Sequence, residues 1–527
     1  MSMINATRGK RLVVIGGGLS GLSYAHYLRN FLQFHKKNGA VSKITILEAN
    51  DYMGGSVKSR VFDDGVIHEL GPRSVRLAGV RSKNTATLLD QLGLSDRVLS
   101  ITPKSAAGSD RYVYRNDKFW KVPTVLWKPF SKLPGSKATL IGTLMNDLFK
   151  KEKFNTEGLP DNDPSIYEFI AFRFGQEAAE SVLDPLLRGI TAGDARKLST
   201  KAIFSDIFEK EQTYGSIVKG VFKPPVTKMP HDDLFPHDVL ESKLLDKFEK
   251  ERALSYNLTT GLQTLPEHLS NSLLNSNDDD VIAIYNRTKV LSVNFDNDEL
   301  ESGAPCSVSV ETIDGDRVVI EADHIVSCIP ANQFVQTFPE SMPAEQKEAL
   351  KFLYEIPHRP VGCVTVEYRD LSKSLPNMSS SFGFLTHSKA GCQVLGISFD
   401  SAMFPAIDKP TGSFRMTCMM GGEWYKEIFG TDNLDKVTDA QLEQISLDEI
   451  QRLLGIKDEP FRMSPYLWKT GIAQYRPGHV GRVRDTRKNI ETLKLPLTIL
   501  GQSYDGIAIN DVIFSARMAA DSFVKTL

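Results

Sequence analysis

Residues 11–28, RLVVIGGGLSGLSYAHYL, place a glycine-rich turn directly between a short apolar run and a helix-like segment. Gly16 allows a tight turn after a strand, and Gly18 lets backbone N–H groups approach a pyrophosphate. Gly21 lets the helix pack closely on the strand, and the helix N-terminus presents a partial positive charge to the phosphates. The stretch therefore predicts a dinucleotide-binding α/β unit, without distinguishing NAD from FAD.

The residues that follow this helix continue the pattern. A second strand-like run, KITILEAN, ends in Glu48, whose carboxylate is suited to accept hydrogen bonds from a pair of ribose hydroxyls. The polar insertion HKKNGA lengthens the spacing between the turn and Glu48 beyond the usual distance of about 20 residues. Gly54 and Gly55 lie just beyond, in EANDYMGGSVKSR.

Length, charge and cysteine content limit the class of protein. A chain of 527 residues is expected to form two or three packed lobes. Lys and Arg number 63 against 65 Asp and Glu, so there is no overall basic field and no nucleic-acid partner is expected. The cysteines lack C-x-x-C spacing, which predicts neither a disulfide framework nor a metal site; they are Cys306, Cys328, Cys363, Cys392 and Cys418.

A lysine-rich apolar segment begins at Leu126. No window of 18 or more uncharged apolar residues occurs, so a membrane-spanning helix is not expected. The segment instead has the composition of a stretch that lies on an anionic lipid surface, although a helix packed on its own core with solvated lysines would read similarly. The residues concerned are Trp127, Phe130, Leu140, Ile141, Leu144 and Phe149, with Lys128, Lys132, Lys137, Lys150, Lys151 and Lys153.

The N-terminus and the middle of the chain complete this outline. The first residues, MSMINATRGKR, lack the apolar core of a secretory signal and form no convincing transit peptide, so no cleaved segment is expected. A helical region is predicted to start at Asp163 and to stop at Gly193. The chain closes with an apolar strand, a glycine-containing turn and a helix, which suggests that it returns to the N-terminal domain.

Five further stretches carry a family resemblance. Together with the glycine turn and the pair of Gly54 and Gly55, they resemble the protoporphyrinogen oxidase family, within the superfamily of FAD-dependent amine oxidases and carotenoid desaturases. In chain order the stretches are HELGPRSVR from His68, DPLLRGITAGDARKLSTKAIF from Asp184, GLQTLP from Gly261, EADHIVSCIPA from Glu321 and GQSYDGIAINDVIFSARMAA from Gly501.

The resemblance implies an α/β fold with three parts. A discontinuous Rossmann-like FAD-binding domain would contain residues 1–92, 254–333 and 493–527. An α+β substrate-binding domain would contain residues 93–114 and 334–492. A mainly helical, membrane-associated domain would contain residues 115–253.

The resemblance also implies the residues of the site. Arg111 would pair with a propionate of the substrate, since a guanidinium offers a planar fork to a carboxylate. Gly189, Leu385 and Phe404 would form an apolar wall around the macrocycle, although ordinary core packing explains Leu385 and Phe404 equally well. The residues expected to contact FAD are Gly16, Gly17, Gly18, Leu19, Ser20, Gly21, Glu48, Gly55, Gly71, Pro72, Arg73, Ser74, Val290, Gln502, Ile507, Ala508 and Ile509.

The activity implied by the resemblance is oxidation of protoporphyrinogen IX to protoporphyrin IX in haem biosynthesis. One non-covalently bound FAD would accept the hydrogen and molecular oxygen would reoxidise it, with release of hydrogen peroxide. No side-chain acid or base is named, because a lone histidine such as His479 is more often structural. Ferrochelatase and a second copy of the chain are the implied protein partners, and the intermembrane-space side of the mitochondrial inner membrane is the implied peripheral location.

Three other assignments fit the sequence less well. Several amine and polyamine oxidases link flavin through a cysteine near the C-terminus, and no cysteine follows Cys418. The stretch RGITAG disfavours a carotenoid desaturase. A non-catalytic binding protein of the Rab escort type is expected to lose the third glycine of the turn, whereas this chain keeps Gly21.

Overall fold

The computed structural model describes residues 9–123, 130–223, 242–275, 281–295, 303–369, 371, 377–408 and 412–527. The strands are β1 (Lys10–Ile15), β2 (Val41–Leu47), β3 (Ser59–Val61), β4 (Ile67–Glu69), β5 (Val75–Arg76), β6 (Val98–Ile101), β7 (Tyr112–Arg115), β8 (Lys118–Lys121), β9 (Ser255–Leu258), β10 (Ile282–Tyr285), β11 (Lys289–Phe295), β12 (Cys306–Glu311), β13 (Arg317–Ala322), β14 (His324–Ser327), β15 (His358–Tyr368), β16 (Gly383–Thr386), β17 (Val394–Ser398), β18 (Phe414–Gly421), β19 (Arg462–Ala473) and β20 (Leu497–Ile499).

The helices alternate with these strands in the N-terminal part and cluster in the middle of the chain. They are α1 (Leu19–Phe34), α2 (Gly79–Gln91), α3 (Ala106–Ser109), α4 (Leu140–Phe149), α5 (Ile166–Phe174), α6 (Gln176–Ala178), α7 (Asp184–Thr191), α8 (Thr200–Tyr214), α9 (Ile217–Val221), α10 (Lys243–Glu251), α11 (Thr264–Leu274), α12 (Ala331–Phe334), α13 (Ala344–Ala349), α14 (Phe352–Glu355), α15 (Asp400–Met403), α16 (Tyr425–Phe429), α17 (Asp439–Leu454), α18 (His479–Thr492) and α19 (Ile509–Thr526). None of the helices described is long and apolar enough to cross a membrane.

A parallel sheet of five strands, in the order β10-β2-β1-β14-β20, carries the glycine turn. Side chains of β1 alternate between two cores. Leu12 and Val14 pack with α1 and α19, whereas Val13 and Ile15 pack with the antiparallel sheet of β11, β12 and β13. Burial on both faces explains the continuous apolar run of β1. The predicted α/β unit is confirmed, and the C-terminal strand does return to it.

A second sheet has seven strands in the order β19-β15-β18-β17-β16-β7-β8. It is antiparallel except where β16 pairs in parallel with β7. Helix α17 covers one part of it, and helix α7 packs against β16 and β17. This sheet joins β7 and β8 to strands from the second half of the chain, although β8 lies within residues 115–253, which the sequence assigned to the helical domain. The exact domain boundaries stay predictions.

The helical region between Asp163 and Gly193 is interrupted. Helix α5 ends at Gly175, whose φ of +90° lies outside the helical region, and a π-helical turn over Ala179–Leu183 precedes α7. The residue that ends α7 in a left-handed conformation is Ala192, with a φ of +52°, rather than Gly193. The expected helical region is therefore present but divided into several helices, because the two breaks come from backbone geometry that the apolar spacing does not reveal.

Candidate functional site

The carboxyl edge of the parallel sheet brings together four chain segments. Gly16, Glu48, Cys328 and Gly501 directly follow or lie beside the ends of β1, β2, β14 and β20, which are neighbours in the sheet. The Gly16 N–H donates to the Leu47 carbonyl at 2.8 Å. In open α/β sheets, ligands bind at this edge.

The start of helix α1 is open to an anion. Gly18 is its N-cap, no side chain caps the helix, and the first turn contains no acidic residue. The first N–H groups of a helix have no partner within the helix and carry its partial positive charge. A Cβ on Gly21 would lie 2.1 Å from the Gly16 carbonyl oxygen, whereas a Cβ on Gly18 would meet nothing closer than Gly55 Cα at 3.7 Å. Gly21 therefore fixes the packing of helix on strand, and Gly18 leaves the backbone accessible.

Glu48 is buried and fixed by hydrogen bonds. Its Oε2 accepts from the Gly17 N–H at 2.9 Å, and its Oε1 accepts from the backbone and side-chain N–H groups of Asn50 at 2.8 and 2.6 Å. A carboxylate has about four acceptor positions, so Glu48 can still accept a ribose hydroxyl. The Thr288 N–H donates to the Glu48 carbonyl at 2.9 Å, and Val290 lies two residues after Thr288 in the chain.

The second glycine pair and residues 71–74 lie beside this turn. Gly54 donates its N–H to the Gly17 carbonyl at 2.9 Å, which aligns the two glycine stretches. A Cβ on Gly71 would lie 2.0 Å from the Ser56 carbonyl oxygen, so only glycine fits there. All four residues of this segment are half-buried: Gly71, Pro72, Arg73 and Ser74.

The C-terminal turn completes the edge. Residues 500–508 connect β20 to α19, and α19 packs along α1, so that the two helices begin on the same side of the sheet. A Cβ on Gly501 would lie 3.4 Å from Ser20 Oγ. The carbonyl of Gln502 accepts a hydrogen bond from Tyr475, a residue that the sequence analysis did not select. Leu19 and Ser20 are buried at the start of α1, Ile507 and Ile509 are half-buried, and Ala508 is exposed at the start of α19.

These residues fit a flavin dinucleotide. The open helix N-terminus suits a pyrophosphate, the Glu48 carboxylate suits a ribose, and Gly18 leaves open space beside the backbone of the turn. The structure thus brings most of the predicted cofactor residues to one edge, and their individual contacts stay predictions.

Gly189 and Leu385 are in direct contact on the substrate side. Helix α7 crosses β16 so closely that a Cβ on Gly189 would lie 2.2 Å from Leu385 Cδ2. Parallel pairing of β7 and β16 sets Val113 opposite Leu385. Paired residues of neighbouring strands project from the same face, so Val113 and Leu385 share one face of this sheet, and Arg111 directly precedes β7.

Arg111 is a half-buried cation without a carboxylate partner among the described residues. Its Nη1 donates to the Gly108 carbonyl at 2.9 Å, and its guanidinium carbon lies 5.3 Å from the centroid of the Phe382 ring. Burial lowers the pKa of Arg111, and the nearby charge of Arg76 lowers it further. A carboxylate ligand would supply the missing counter-charge.

Phe404 approaches the region of Arg111 from a separate hydrophobic cluster. It is 4% exposed and packs in a cluster with Ile67, Ile101 and Met403, against which Phe382 also packs. Phe382 therefore links Phe404 to Arg111, and sequence reasoning missed it. The only signal was its position three residues before the selected Leu385.

Known proteins resemble this chain in sequence and in fold. Residues 19–522 match the family model described as flavin containing amine oxidoreductase. The protoporphyrinogen oxidase of Bos taurus is 30% identical over 518 residues, covering 98% of this chain and 99% of that protein. The protoporphyrinogen oxidase of Homo sapiens is 29% identical with the same coverage of both chains. The solved structure of cyclohexylamine oxidase from Brevibacterium oxydans superposes with a TM-score of 0.62 at 13% identity, covering 98% of this chain and 99% of that one, which supports the fold alone.

Proposed function

This chain belongs to the flavin-containing amine oxidoreductase family, and from that membership we propose that it is an FAD-dependent oxidase converting protoporphyrinogen IX to protoporphyrin IX. The names of its full-length relatives support this substrate. The observation that carries the proposal is Arg111, a half-buried guanidinium with no carboxylate partner among the described residues, beside apolar side chains. An apolar macrocycle bearing propionates matches both features.

The protein's own residues hold the two reactants. The N-terminus of α1 and Glu48 would bind the pyrophosphate and a ribose of FAD, and the C-terminal turn would close on it from β20. When bound, the flavin supplies the acceptor for hydrogen removed from the macrocycle. Residues 71–74 and 501–509 would orient it against the substrate.

Binding and orientation of the substrate would fall to the second sheet. Arg111 would form a charge-assisted, bidentate contact with one propionate. Gly189, Leu385 and Phe404 would line the apolar part of the groove and exclude water from the reacting carbon. This division of labour assigns no side-chain acid or base.

Anaerobic mixing tests the substrate assignment directly. The purified protein is expected to be yellow, and protoporphyrinogen IX should bleach its flavin absorbance in a single turnover. Admission of air should restore the absorbance with formation of hydrogen peroxide. If putrescine or a carotene bleaches the flavin while protoporphyrinogen does not, the proposal is wrong. Protein that purifies without flavin would instead favour a non-catalytic binding role.

Helix α4 supports peripheral membrane contact as a further part of the proposal. Its only buried residue is Asp147, whereas Met145 and Phe149 are 39% and 72% exposed. This is the reverse of a helix packed on its own core. Phe130, Val221 and Phe222 are also exposed, and the exposed lysines of the same region are Lys132, Lys137, Lys151 and Lys153. Trp127 and Lys128 lie outside the described residues.

Vesicle co-sedimentation tests this contact. Exchange of Met145 and Phe149 for serine should weaken binding to vesicles that contain cardiolipin, since both the apolar area and the nearby lysines contribute to binding. Exchange of Phe34 for serine, an equally exposed position at the end of α1, is the matched control and should leave binding unchanged. Equal binding by all three proteins would contradict the membrane assignment.

The proposal also includes a location for the protein and its protein partners, argued from the chemistry of the product. Protoporphyrin is poorly soluble, so a peripheral position on the intermembrane-space side of the mitochondrial inner membrane suits its transfer to a ferrochelatase. A homodimer completes this hypothesis. Fractionation of mitochondria and size measurement in solution test the location and the dimer respectively.

A further inference from the structure

The turn between β20 and α19 depends on outside support for its shape. Gly501 and Gly506 adopt φ values of +107° and +138°. A Cβ on Gly506 would lie 2.4 Å from the Cβ of Asp511, so the backbone cannot relax around a larger residue. Residues 502–506 form no regular strand or helix, and ladder hydrogen bonds therefore do not fix them.

The phenol of Tyr475 joins the two ends of this turn. Its O–H donates to the Gln502 carbonyl at 2.5 Å, and its oxygen accepts from the Gly506 N–H at 2.9 Å. Tyr475 is 4% exposed. One buried oxygen thus satisfies a carbonyl at one end of the turn and an N–H at the other.

Helix α18 holds Tyr475 and the middle of the turn. The His479 ring stacks on the Tyr475 ring with centroids 4.0 Å apart and an interplanar angle of 18°. His479 Nε2–H donates to the Tyr504 carbonyl at 3.1 Å, and Arg487 binds both carboxylate oxygens of Asp505 at 2.8 and 2.6 Å. Helix α18 therefore supplies three hydrogen bonds to Tyr504 and Asp505, and Tyr475, which precedes the helix, supplies two more at Gln502 and Gly506.

Both rings remain neutral in this environment. Burial raises the pKa of Tyr475, with Asp505 and Asp511 adding to the rise and Gly506 and Arg81 opposing it. Burial lowers the pKa of His479 to about 4. Tyr475 therefore keeps its proton and can donate to Gln502 throughout the physiological range.

We propose that Tyr475, supported by His479, is a positioning residue that holds turn 502–506 in the shape that receives the flavin. The inference rests on the proposed function, because that function assigns Gln502 to the flavin site. A trans peptide places its C=O and N–H on opposite sides, so turning the Gln502 carbonyl toward Tyr475 directs the Ser503 N–H away from it. Loss of the phenol hydroxyl would free this peptide to rotate.

The test measures flavin release from the purified holoenzyme. Tyr475→Phe keeps the ring and its stacking but removes both hydrogen bonds. FAD fluorescence after dilution should show that Tyr475→Phe binds FAD at least about tenfold more weakly than the wild type. The control is Tyr256→Phe, because that buried hydroxyl has no partner among the described residues. Its flavin affinity should equal that of the wild type.

A purely structural role predicts a different outcome. In that case Tyr475→Phe would lower the melting temperature while flavin affinity and the visible spectrum of the bound flavin stayed unchanged, and the proposal would be overturned. Wild-type protein that holds flavin but does not oxidise protoporphyrinogen would refute the substrate assignment and leave this proposal standing.

A second variant covers the case in which Tyr475→Phe fails to fold. His479→Phe keeps an aromatic partner for Tyr475 and removes only the bond to the Tyr504 carbonyl. Hydrogen exchange over residues 501–508 should then be faster than in the wild type. The variant should also bind flavin more weakly. In the wild-type holoenzyme itself, the Gly506 amide should be protected, and rapid exchange there would overturn the proposal.

Discussion

The side chain of Leu385 occupies the space that a methyl group on Gly189 would need, since that Cβ would lie 2.2 Å from Leu385 Cδ2. Gly189→Ala should therefore push Leu385 aside and narrow the substrate groove. Overpacking should lower the free energy of unfolding by about 1–3 kcal/mol, and the displaced Leu385 should raise the KM for protoporphyrinogen with kcat largely kept. The double variant with Leu385→Ala should recover part of the affinity. Steady-state kinetics check both, and additive losses would contradict a shared wall.

Arg111→Ala should raise the KM for protoporphyrinogen by about tenfold to a hundredfold, because a charge-assisted hydrogen bond is lost. The kcat should change less, since Arg111 is assigned to binding rather than to the reacting carbon. Arg111→Lys should recover only part of the loss because an ammonium cannot form the planar fork. Unchanged kinetics in Arg111→Ala would remove this residue from the site.

Two glycines of the first turn should respond differently to alanine. Gly21→Ala should reduce both stability and flavin content, because the new Cβ would meet the backbone of Gly16 at 2.1 Å. Gly18→Ala should fold normally, since its Cβ meets nothing closer than 3.7 Å, but its methyl group would obstruct the phosphates. Flavin per chain and the melting temperature of flavin-free protein separate these effects. A normal flavin content in Gly18→Ala would argue against pyrophosphate at this turn.

Asp147 anchors helix α4 through a buried network. Its carboxylate accepts from Arg173 Nε at 2.6 Å and from the Ser216 hydroxyl at 2.6 Å, and both Asp147 and Arg173 are fully buried. Asp147→Ala should lower the free energy of unfolding by about 3–5 kcal/mol, since it leaves a buried guanidinium undercompensated. The exposed pair of Asp206 and Lys210 supplies a control in Asp206→Ala, with an expected loss below about 1 kcal/mol. Thermal or urea unfolding checks both.

His26 should make the fold sensitive to acid. Burial lowers its pKa from 6.5 to about 4, so between these values the unfolded chain binds a proton that the folded chain does not. Stability should fall as the pH drops from about 6.5 toward 4, and at pH 5 the loss from this residue is on the order of 2 kcal/mol. His26→Gln should make the pH dependence shallower. His35→Gln, at an exposed position just after the same helix, should leave it unchanged in urea titrations.

Local patterns predicted the parts of the fold whose residues lie close together in sequence. The spacing of Gly16, Gly18 and Gly21 was sufficient for the strand, turn and helix, because each glycine acts within that unit. Tyr475 was not predicted, although His479, four residues later in the stretch QYRPGH, was considered. Its role arises from contacts with residues nearly thirty positions later, which only the folded chain reveals.

Side-chain orientation was the second limit. The lysine-rich segment fitted either a lipid surface or a packed helix, because the sequence does not show whether the apolar side of α4 faces lipid or protein. The hydrogen bonds of Asp147 determine which side faces inward, and they depend on Arg173 and Ser216 from other helices. Likewise, α7 ends at Ala192 rather than Gly193, and the Ala192 carbonyl accepts a hydrogen bond from the distant Glu423 N–H at 2.8 Å, a contact that the local sequence does not reveal.

The strand order of the parallel sheet also governs how this protein is made. Strand β1 is synthesised well before its neighbour β14, which begins at His324, and before β20, which begins at Leu497. During synthesis β1 therefore exposes an unpaired edge until β14 has been made, which favours aggregation of the nascent chain. The cofactor edge cannot form until residues 497–509 have been synthesised, so flavin cannot be held there before that point.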